Sequence, residues 1–293
     1  MAKYLTSPIV YMGSKRRLMD FLREHLPQEI NTFVDVFGGS GTVSMNVDAL
    51  KIQLNDFHPE LYKLYNYYIQ TPVAKIESNN GRLLEEYGDG FKLNQEGYHR
   101  LRKTYNENPE RPVEELTLLL YYAFQSLLRF NQQGEFNTSY NNKKGKIPND
   151  YYKKVALFQA TLTSMGVQTS NKDFRDLSYH TLGAGDFVYM DPPYYITTAV
   201  YNKYWNEDDE RDLYKLLTDL DKRGVHFGLS NVLTHQGRVN TDLDKFIKDN
   251  PHFDVYETGM IYSSRMDSKW QEEVEESGEV YVTNYKKPTG GWY

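Results

Sequence analysis

The sequence predicts an α/β fold in which a mainly parallel sheet is interrupted by a helical insert. Short apolar segments of strand length alternate with amphipathic helical segments towards both ends of the chain, a pattern typical of parallel sheets. Between these regions the apolar residues have mostly helical spacing. We therefore expect a discontinuous sheet domain made of residues 1–58 and 160–293, with an inserted, mostly helical domain over residues 59–159.

Run length and periodicity of the apolar residues predict the individual elements. The predicted strands cover residues 32–37, 52–55, 167–170, 187–190, 225–229, 253–256 and 280–284. The predicted helices cover residues 15–26, 42–50, 61–69, 97–106, 112–129, 207–222 and 239–248. The helix over residues 207–222 is strongly amphipathic, and Gly224 is placed to cap its C-terminus.

The composition narrows the class of protein. The 293-residue chain has no cysteine, which excludes disulfides, thiolate catalysis and zinc held by cysteine. Its first residues lack the apolar core of a signal peptide, and the most apolar stretch, residues 116–124, is too short to span a bilayer. We expect a cytoplasmic protein with no membrane partner.

The charge of the chain bears on its partners. A formal net charge of −6 counts against nucleic acid, because phosphate contacts dominate that kind of affinity. Net charge is a sum over the whole surface, however, and a basic face can coexist with an acidic total. The 26 tyrosines suit base stacking, but they equally suit packing at half-buried positions.

A glycine-rich turn follows the first predicted strand. Gly38, Gly39, Ser40 and Gly41 would present backbone N–H groups without obstruction by Cβ atoms, so a nucleotide-like ligand can approach closely. Asp56 ends the next strand, about 20 residues after the acid of the first strand, a spacing at which a carboxylate can hold ribose hydroxyls. The pattern does not distinguish a dinucleotide from S-adenosylmethionine, and a turn that only reverses the chain also fits it.

The most informative segment is Asp191-Pro192-Pro193-Tyr194, directly after a buried strand. Each proline fixes φ and lacks an N–H donor, so a carboxylate and peptide carbonyls stand together beside an aromatic ring. Two acceptors of this kind can hold both N–H bonds of an aromatic amino group and expose its lone pair for direct attack on a methyl group. Such a reaction needs neither a metal nor a covalent enzyme intermediate. A strand-terminating turn with a helix-capping Asp is the structural alternative.

Four motifs in a fixed order resemble those of the Dam-type (D12 class) DNA adenine-N6 methyltransferases. They are the cofactor motif YMGSK at residues 11–15, the glycine motif FVDVFGGSG at 33–41, the recognition hairpin RFNQQGEFN at 129–137, and DPPY at 191–194. The resemblance implies a Rossmann-like S-adenosylmethionine-dependent methyltransferase sheet with an inserted, mostly helical target-recognition domain. It also implies methylation of N6 of an adenine flipped out of duplex DNA.

The resemblance further implies roles for individual residues. Asp191, Pro192, Pro193 and Tyr194 would form the catalytic centre. S-adenosylmethionine, which becomes S-adenosylhomocysteine, would be the only cofactor, with no metal. Its expected contacts are Tyr11, Lys15, Asp35, Phe37, Gly38, Gly39, Ser40, Gly41, Thr42, Asp56, Asp173, Phe174 and Asp191.

The polar segment at residues 129–146 is the expected DNA-contacting hairpin. The side chains suited to reading base edges are Arg129, Asn131, Gln132, Gln133 and Asn137. The lysines expected on phosphates are Lys143, Lys144 and Lys146. A solvated polar hairpin is the alternative. Residues 138–144 lack the proline-containing apolar turn common in Dam-type proteins, so GATC is not implied as the target.

The acidic run at residues 272–276 is expected to be a solvated loop that faces away from DNA.

Three other functions remain open at the level of sequence. An RNA adenine-N6 methyltransferase would use the same catalytic tetrapeptide, because a flipped adenine is the same base in either polymer. A catalytically silent nucleic-acid-binding protein could use the same fold, although the intact DPPY motif argues against it. A dehydrogenase is the weakest alternative, because nothing after the glycine turn resembles a hydride-transfer site. A cognate restriction endonuclease is left open as a partner, as is the oligomeric state.

Overall fold

A computed structural model describes residues 4–197, 205–259 and 277–287. Within these ranges the α-helices are α1 (Met19–His25), α2 (Pro59–Gln70), α3 (Val73–Tyr87), α4 (Gln95–Glu107), α5 (Val113–Tyr122), α6 (Asn149–Ser164), α7 (Glu207–Lys222) and α8 (Thr241–Asp249). The strands are β1 (Ile30–Asp35), β2 (Ala49–Asn55), β3 (Gln168–Ser170), β4 (Phe187–Met190), β5 (His226–His235), β6 (Arg238–Val239), β7 (Asp254–Glu257) and β8 (Ser277–Thr283). The acidic run predicted to be a solvated loop, residues 272–276, lies outside the described residues.

The chain divides into two compact units. One, called here the helical unit, comprises Met1–Arg16, Gly39–Asn46 and Asp56–Asn171, and so contains α2 to α6. The other, the sheet unit, comprises Arg17–Gly38, Val47–Asn55 and Lys172–Tyr293. None of the helices in the described ranges combines the length and the apolar character needed to cross a bilayer.

The sheet unit is built on a mixed sheet with the strand order β2-β1-β4-β5-β8-β7. β2, β1, β4 and β5 run parallel, whereas β8 is antiparallel to both β5 and β7. The order reverses at β1, since the chain first adds β2 on one side and later β4 on the other. The structure thus confirms the predicted Rossmann-like α/β fold, and ligands of such sheets bind at the carboxyl ends of the strands beside a reversal of this kind.

Burial explains why these segments form strands and helices. All four residues of β4 are buried, as expected of a central parallel strand covered on both faces. α7 places Leu213, Leu217 and Leu220 on one face, and these side chains pack into the same apolar core as the sheet. The structure confirms the predicted cap at the C-terminus of α7. Gly224 adopts a φ of +70°, and the N–H of Val225 donates to the Leu220 carbonyl at 3.0 Å.

The prediction of a helix over residues 42–50 was wrong. Only a 3-10 turn, Ser44–Asn46, forms there, and β2 already begins at Ala49. The segment is poor in strong helix formers. The Asn46 side-chain amide also donates to the Thr42 carbonyl at 2.8 Å, a backbone group that the helix would have used, and to the Leu5 carbonyl at 3.1 Å.

The helical unit differs from the sequence prediction in three helices. α3 and α6 were not predicted, and α5 ends at Tyr122 instead of continuing to residue 129. α5 cannot continue because Gln125 and Ser126 have φ values of 55° and 54°, which are left-handed. α3 contains a Ser-Asn-Asn-Gly run that disfavours helix locally, yet its buried residues Ile76, Asn80, Leu83 and Leu84 share one face. Tertiary packing therefore outweighs local propensity in α3.

Gly228 of β5 supplies a test of how tightly the sheet unit is packed. A Cβ atom there would overlap the hydroxyl of Tyr281, whose side chain is fully buried on β8. We expect Gly228→Ala to lower the free energy of unfolding by about 1–3 kcal/mol, because a packed ring must shift. Urea denaturation measures this, with Gly183→Ala as the control, since no atom lies within 4 Å of the added Cβ there. Equal stability of the two variants would contradict the packing argument.

Candidate active site

The carboxyl ends of three strands of the sheet unit form the edge on which the predicted catalytic residues lie. Asp35 pairs with Tyr189 in the β1–β4 register, and the Val36 N–H donates to the Tyr189 carbonyl at 3.1 Å. β4 ends one residue later, so Asp191 leaves the sheet next to the end of β1. Asp35 itself is only 1% exposed. The edge therefore combines a buried acid on β1 with an acid that follows β4.

Asn55, at the end of β2, holds this edge together and was not predicted from sequence. Its Nδ2 donates to the carbonyls of Val36 and Lys172 at 2.9 and 3.0 Å, while its Oδ1 accepts the Lys172 N–H at 3.0 Å. Its own carbonyl accepts the N–H of Gly38 at 2.8 Å. One buried side chain thus fixes the exit from β1 and the segment that leads to Asp173.

In the helical unit, two hydroxyl groups of the glycine turn lie close to a third from the N-terminal motif. The Oγ of Ser40 lies 2.7 Å from the Oγ1 of Thr42 and 3.4 Å from the Oγ of Ser14. Gly39 and Gly41 have φ values of +53° and +70°, a conformation that favours glycine. The N-terminal YMGSK motif and the glycine motif, far apart in sequence, are therefore brought together through their hydroxyls.

Lys15 lies in the same part of the helical unit and is buried. Its side chain is 6% exposed, and its Nζ donates to the Gly13 carbonyl at 3.4 Å. A solvated surface lysine does not fit this burial. Tyr11 is half-buried, with its ring edge-on to His58 at a centroid distance of 6.5 Å.

Asp56 ties the glycine turn to the start of α2. Its Oδ2 accepts the N–H of Gly39 at 2.9 Å, and its Oδ1 accepts the N–H of His58 at 2.8 Å. Loss of solvation raises the pKa of Asp56 to about 6, although the two backbone donors oppose this rise. The next residue, Phe57, is 64% exposed, an aromatic surface beside the acid that sequence reasoning did not single out.

Asp173 and Phe174 are held by Arg175 in the sheet unit. The Arg175 Nη1 donates to both oxygens of Asp173 at 3.1 and 3.2 Å, and its guanidinium also bonds Asp209 and Asp212 on α7. The Arg175 guanidinium carbon lies 4.4 Å from the centre of the Phe174 ring. The predicted cofactor residues Asp173 and Phe174 are thus anchored to a helix, and Asp173 is an ion-paired residue.

Three aromatic rings cluster beside this anchor. Phe37, predicted to contact the cofactor, and Phe174 each lie 5.5 Å from Trp205 between ring centroids. Trp205 was not predicted; its Nε1 donates at 2.9 Å to Glu210, a fully buried acid. Glu210 takes its other bonds from neutral Tyr214, Asn231 and Asn240. In the described part of the chain, no three His, Asp or Glu side chains gather as metal ligands do.

The DPPY segment places its tyrosine between two acids. Asp191 is partly exposed, whereas Tyr194 is 7% exposed. The Tyr194 Oη lies 3.0 Å from the Asp191 Oδ1 and 2.8 Å from the Oε1 of Glu279. Glu279, on β8, is 2% exposed and carries no motif signal that sequence reasoning could have used. Pro192 is buried and Pro193 half-buried, so the acceptor-rich segment is packed on one side.

The hairpin predicted to recognise DNA, in the helical unit, is stabilised by its own polar side chains. Arg129 donates through Nε to the Asn137 Oδ1 at 2.8 Å and through Nη2 to the Asn137 carbonyl at 3.0 Å. Asn131 accepts the backbone N–H groups of Gln133 and Glu135, and the Gly134 N–H closes the turn onto the Asn131 carbonyl. Three of the five predicted base readers therefore shape the hairpin, and their reading of bases stays a prediction.

Two of the predicted readers have a different setting. Gln132 and Gln133 are exposed residues at the tip of the turn. Lys143 and Lys146 are exposed as well, whereas the Lys144 Nζ lies 4.5 Å from the centre of the Tyr121 ring. Burial lowers the pKa of Lys144, and the neighbouring charge of Lys154 adds to the effect.

The comparison with known proteins fits this geometry. The family described as D12 class N6 adenine-specific DNA methyltransferase matches residues 11–273, and the chain belongs to this family. Type II methyltransferase M.FokI of Planomicrobium okeanokoites is 34% identical, over 98% of this chain and 44% of that protein. Modification methylase StsI of Streptococcus sanguinis is 29% identical, again over 98% and 44%. A DNA adenine methylase of Vibrio cholerae serotype O1 is 26% identical, over 79% of this chain and 81% of that protein.

Two consequences follow from these matches. The family resemblance drawn from four motifs is confirmed, since the match covers all four. The chain spans less than half the length of the first two relatives named, so each of those proteins has further sequence that is not matched here.

Asp56 gives the site a pH dependence that can be measured. Its pKa is about 6 in the folded chain against a reference of 3.8, so between these values the folded chain holds a proton that the unfolded chain releases. The contribution of Asp56 to the free energy of unfolding should therefore be highest below about pH 4 and fall as the pH rises through 6, by on the order of 3 kcal/mol.

Asp56→Asn removes this titration while keeping a side-chain oxygen for one backbone N–H. The stability of the wild type relative to this variant should fall between pH 4 and pH 6 and stay level above about pH 7. Urea denaturation of both proteins across this range measures the difference. A difference that is constant with pH would show that Asp56 titrates normally.

Proposed function

We propose that this chain transfers the methyl group of S-adenosylmethionine to N6 of adenine in duplex DNA. The observation that carries the proposal is the position of Asp191-Pro192-Pro193-Tyr194, directly after β4 at the carboxyl edge of a sheet whose strand order reverses nearby. Membership of the D12 class family supports the reaction. The test is to sequence DNA from cells that express the chain, with a method that detects N6-methyladenine, alongside an assay of purified protein on DNA and RNA of the same sequence.

The chemistry follows from the acceptors in this segment. The amino group of adenine is a weak nucleophile because its lone pair is delocalised into the ring. In the proposed mechanism the Asp191 carboxylate accepts one N–H and a carbonyl of the two-proline segment accepts the other, so that the lone pair is exposed. These acceptors also stabilise the positive charge that develops on the nitrogen during transfer. Bound S-adenosylmethionine supplies the methyl group, on a sulfonium sulfur.

The glycine turn and Asp56 suit a cofactor with ribose hydroxyls. Each Asp56 oxygen accepts one backbone N–H, and a carboxylate oxygen can accept a second hydrogen bond, so acceptor capacity remains for ribose. The left-handed glycines leave room for close approach of a ligand to the backbone. The residues proposed to hold the cofactor are Tyr11, Lys15, Asp35, Phe37, Gly38, Gly39, Ser40, Gly41, Thr42, Asp56, Asp173, Phe174 and Asp191.

Adenine in a duplex must leave the helix before its amino group can reach Asp191, at a cost of a few kcal/mol. We propose that the hairpin of residues 129–146 holds the flanking duplex and reads its sequence, with Lys143, Lys144 and Lys146 on phosphates. Stacking of the flipped base on the exposed part of Tyr194 is the second proposed contribution. This residue is 7% exposed. In this proposal residues 1–58 and 160–293 form the catalytic domain, and residues 59–159 form the target-recognition domain.

The biological context is proposed from the relatives. Two of them are named as a type II methyltransferase and a modification methylase. We propose that this chain is likewise the modification enzyme of a restriction–modification system, with a cognate endonuclease of the same target sequence. Resistance of genomic DNA to that endonuclease, gained on expression of the chain, would support this assignment.

The role of Asp191 predicts the effect of its removal. Asp191→Ala should lower the single-turnover rate of methyl transfer about a hundred- to a thousandfold, as expected when a group that stabilises transition-state charge is lost. Affinity for S-adenosylmethionine, measured by titration calorimetry, should change by only a few fold, because the other residues proposed to hold the cofactor are intact. Asp208→Ala is the matched control, because the Asp208 side chain is 87% exposed on α7. A near-normal rate for Asp191→Ala would refute the catalytic role.

The hydrogen bonds within the hairpin predict that its polar residues have different roles in DNA binding. Gln132→Ala and Gln133→Ala should reduce the discrimination between target and non-target duplexes. Loss of a bidentate base contact should reduce it by about 1–3 kcal/mol. The free energy of unfolding should not change. Arg129→Ala should instead weaken binding to both kinds of duplex, because it breaks the bonds to Asn137. Methylation rates on a duplex library with randomised flanks measure both effects. Full discrimination in both glutamine variants would place sequence reading elsewhere.

A further inference from the structure

Tyr194 of the DPPY segment has a single hydroxyl that faces two carboxyl groups. The Tyr194 Oη lies 2.8 Å from the Oε1 of Glu279 and 3.0 Å from the Oδ1 of Asp191, and the tyrosine is 7% exposed. Both distances are those of hydrogen bonds. Glu279 therefore contacts the proposed catalytic segment without being part of any motif.

A hydroxyl carries one proton, so it can donate to only one of two carboxylates at a time. If the proton points to Asp191, the hydrogen bond from Tyr194 occupies part of the acceptor capacity of that carboxylate. If it points to Glu279, Asp191 keeps its capacity to accept from an amino group. Glu279 thus determines how strongly the Tyr194 hydroxyl competes with the substrate for hydrogen bonds to Asp191.

The surroundings of Glu279 hold it in place for this contact. It is 2% exposed on β8 and pairs with Val232 of β5 in the strand register. The Thr258 hydroxyl is 3.4 Å from its Oε2, and the Thr258 N–H donates to its carbonyl at 3.1 Å. Tyr194 packs against Val232 in a small apolar cluster, so the ring and the acid share one neighbour. Burial and packing restrict Glu279 to a narrow range of positions.

We propose that Glu279 is a positioning residue for methyl transfer: it accepts the Tyr194 hydroxyl, fixes the ring, and keeps Asp191 available to the adenine amino group. The proposal rests on the function proposed above, because it concerns the same reaction. Glu279 acts through Tyr194 and does not itself touch the substrate. A carboxylate suits the role because it is a stronger acceptor than an amide for the hydroxyl proton.

The test is a double-mutant cycle on the full chain. Glu279→Gln keeps the shape of the side chain but weakens the acceptor, so the single-turnover rate should fall about tenfold, the scale of a hydrogen bond to a charged group. The dissociation constant for S-adenosylmethionine should stay within twofold of the wild type. In a Tyr194→Phe background the same substitution should have no further effect, because the hydroxyl through which it acts is gone.

A matched control comes from the helical unit. Glu60 is also a buried acid that accepts a tyrosine hydroxyl, that of Tyr105 at 3.1 Å. Glu60→Gln and Tyr105→Phe should affect stability without lowering the rate of methyl transfer by the folded protein. Thr258→Val is the second test variant, for the case that Glu279→Gln does not fold. It should lower the rate by a smaller factor that also disappears with Tyr194→Phe.

The outcomes distinguish the failure of this proposal from the failure of the proposed methyltransferase function. Wild-type protein that methylates no adenine in DNA would overturn the proposed function itself. With an active wild type, an unchanged rate in Glu279→Gln would overturn the positioning role. Losses that multiply in the double variant would overturn it too, since they would show that Glu279 acts independently of Tyr194.

Discussion

The parallel pairing of β1 with a neighbour on each side is the constraint on which the edge that carries Asp35 and Asp191 depends. β2 follows β1 closely in the chain, but β4 joins it only after the whole helical segment has intervened. The backbone bond from Val36 to the Tyr189 carbonyl extends that pairing to the end of the strands. Because parallel strands end at the same edge, Asp35 and Asp191 are brought together by register alone. Asn55 then secures the chain where it leaves the sheet.

Buried acids bonded mainly by neutral side chains recur in the described part of this protein. Glu210 is bonded by an indole, a phenol and amides, Glu60 by a tyrosine and a lysine, and Glu279 by a tyrosine and a threonine. A buried carboxylate is costly unless its oxygens are satisfied, so each of these groups imposes an order on its neighbours. Three of the 26 tyrosines, all within the described ranges, thus serve as hydroxyl donors to buried acids.

Sequence predicted the parts of the fold that local pattern controls. β4 and α7 follow from run length, periodicity and capping, and their predicted bounds match the structure. The glycine and DPPY motifs are contiguous, so their positions at strand ends could be predicted as well. Residues 42–50 could not, because side-chain bonds from Asn46 replace those of the helix that apolar spacing predicted. α3 could not, because tertiary packing of its buried face, which includes Ile76, overrides a low local propensity. Asn55, Trp205 and Glu279 lie outside any motif, and only long-range contacts reveal them.

The internal bonding of the recognition hairpin bears on how such proteins diverge. Arg129, Asn137 and Asn131 hold its shape, and Asn106 of α4 anchors it by exchanging two hydrogen bonds with Phe136. A loop that is ordered before it meets a partner loses little conformational freedom on binding. Because this bonding uses the backbone but not the side chains of the tip glutamines, mutation can change those side chains without disturbing the loop. If the hairpin reads DNA as proposed, the same scaffold can acquire a new sequence preference in a few evolutionary steps while its stability is unaffected.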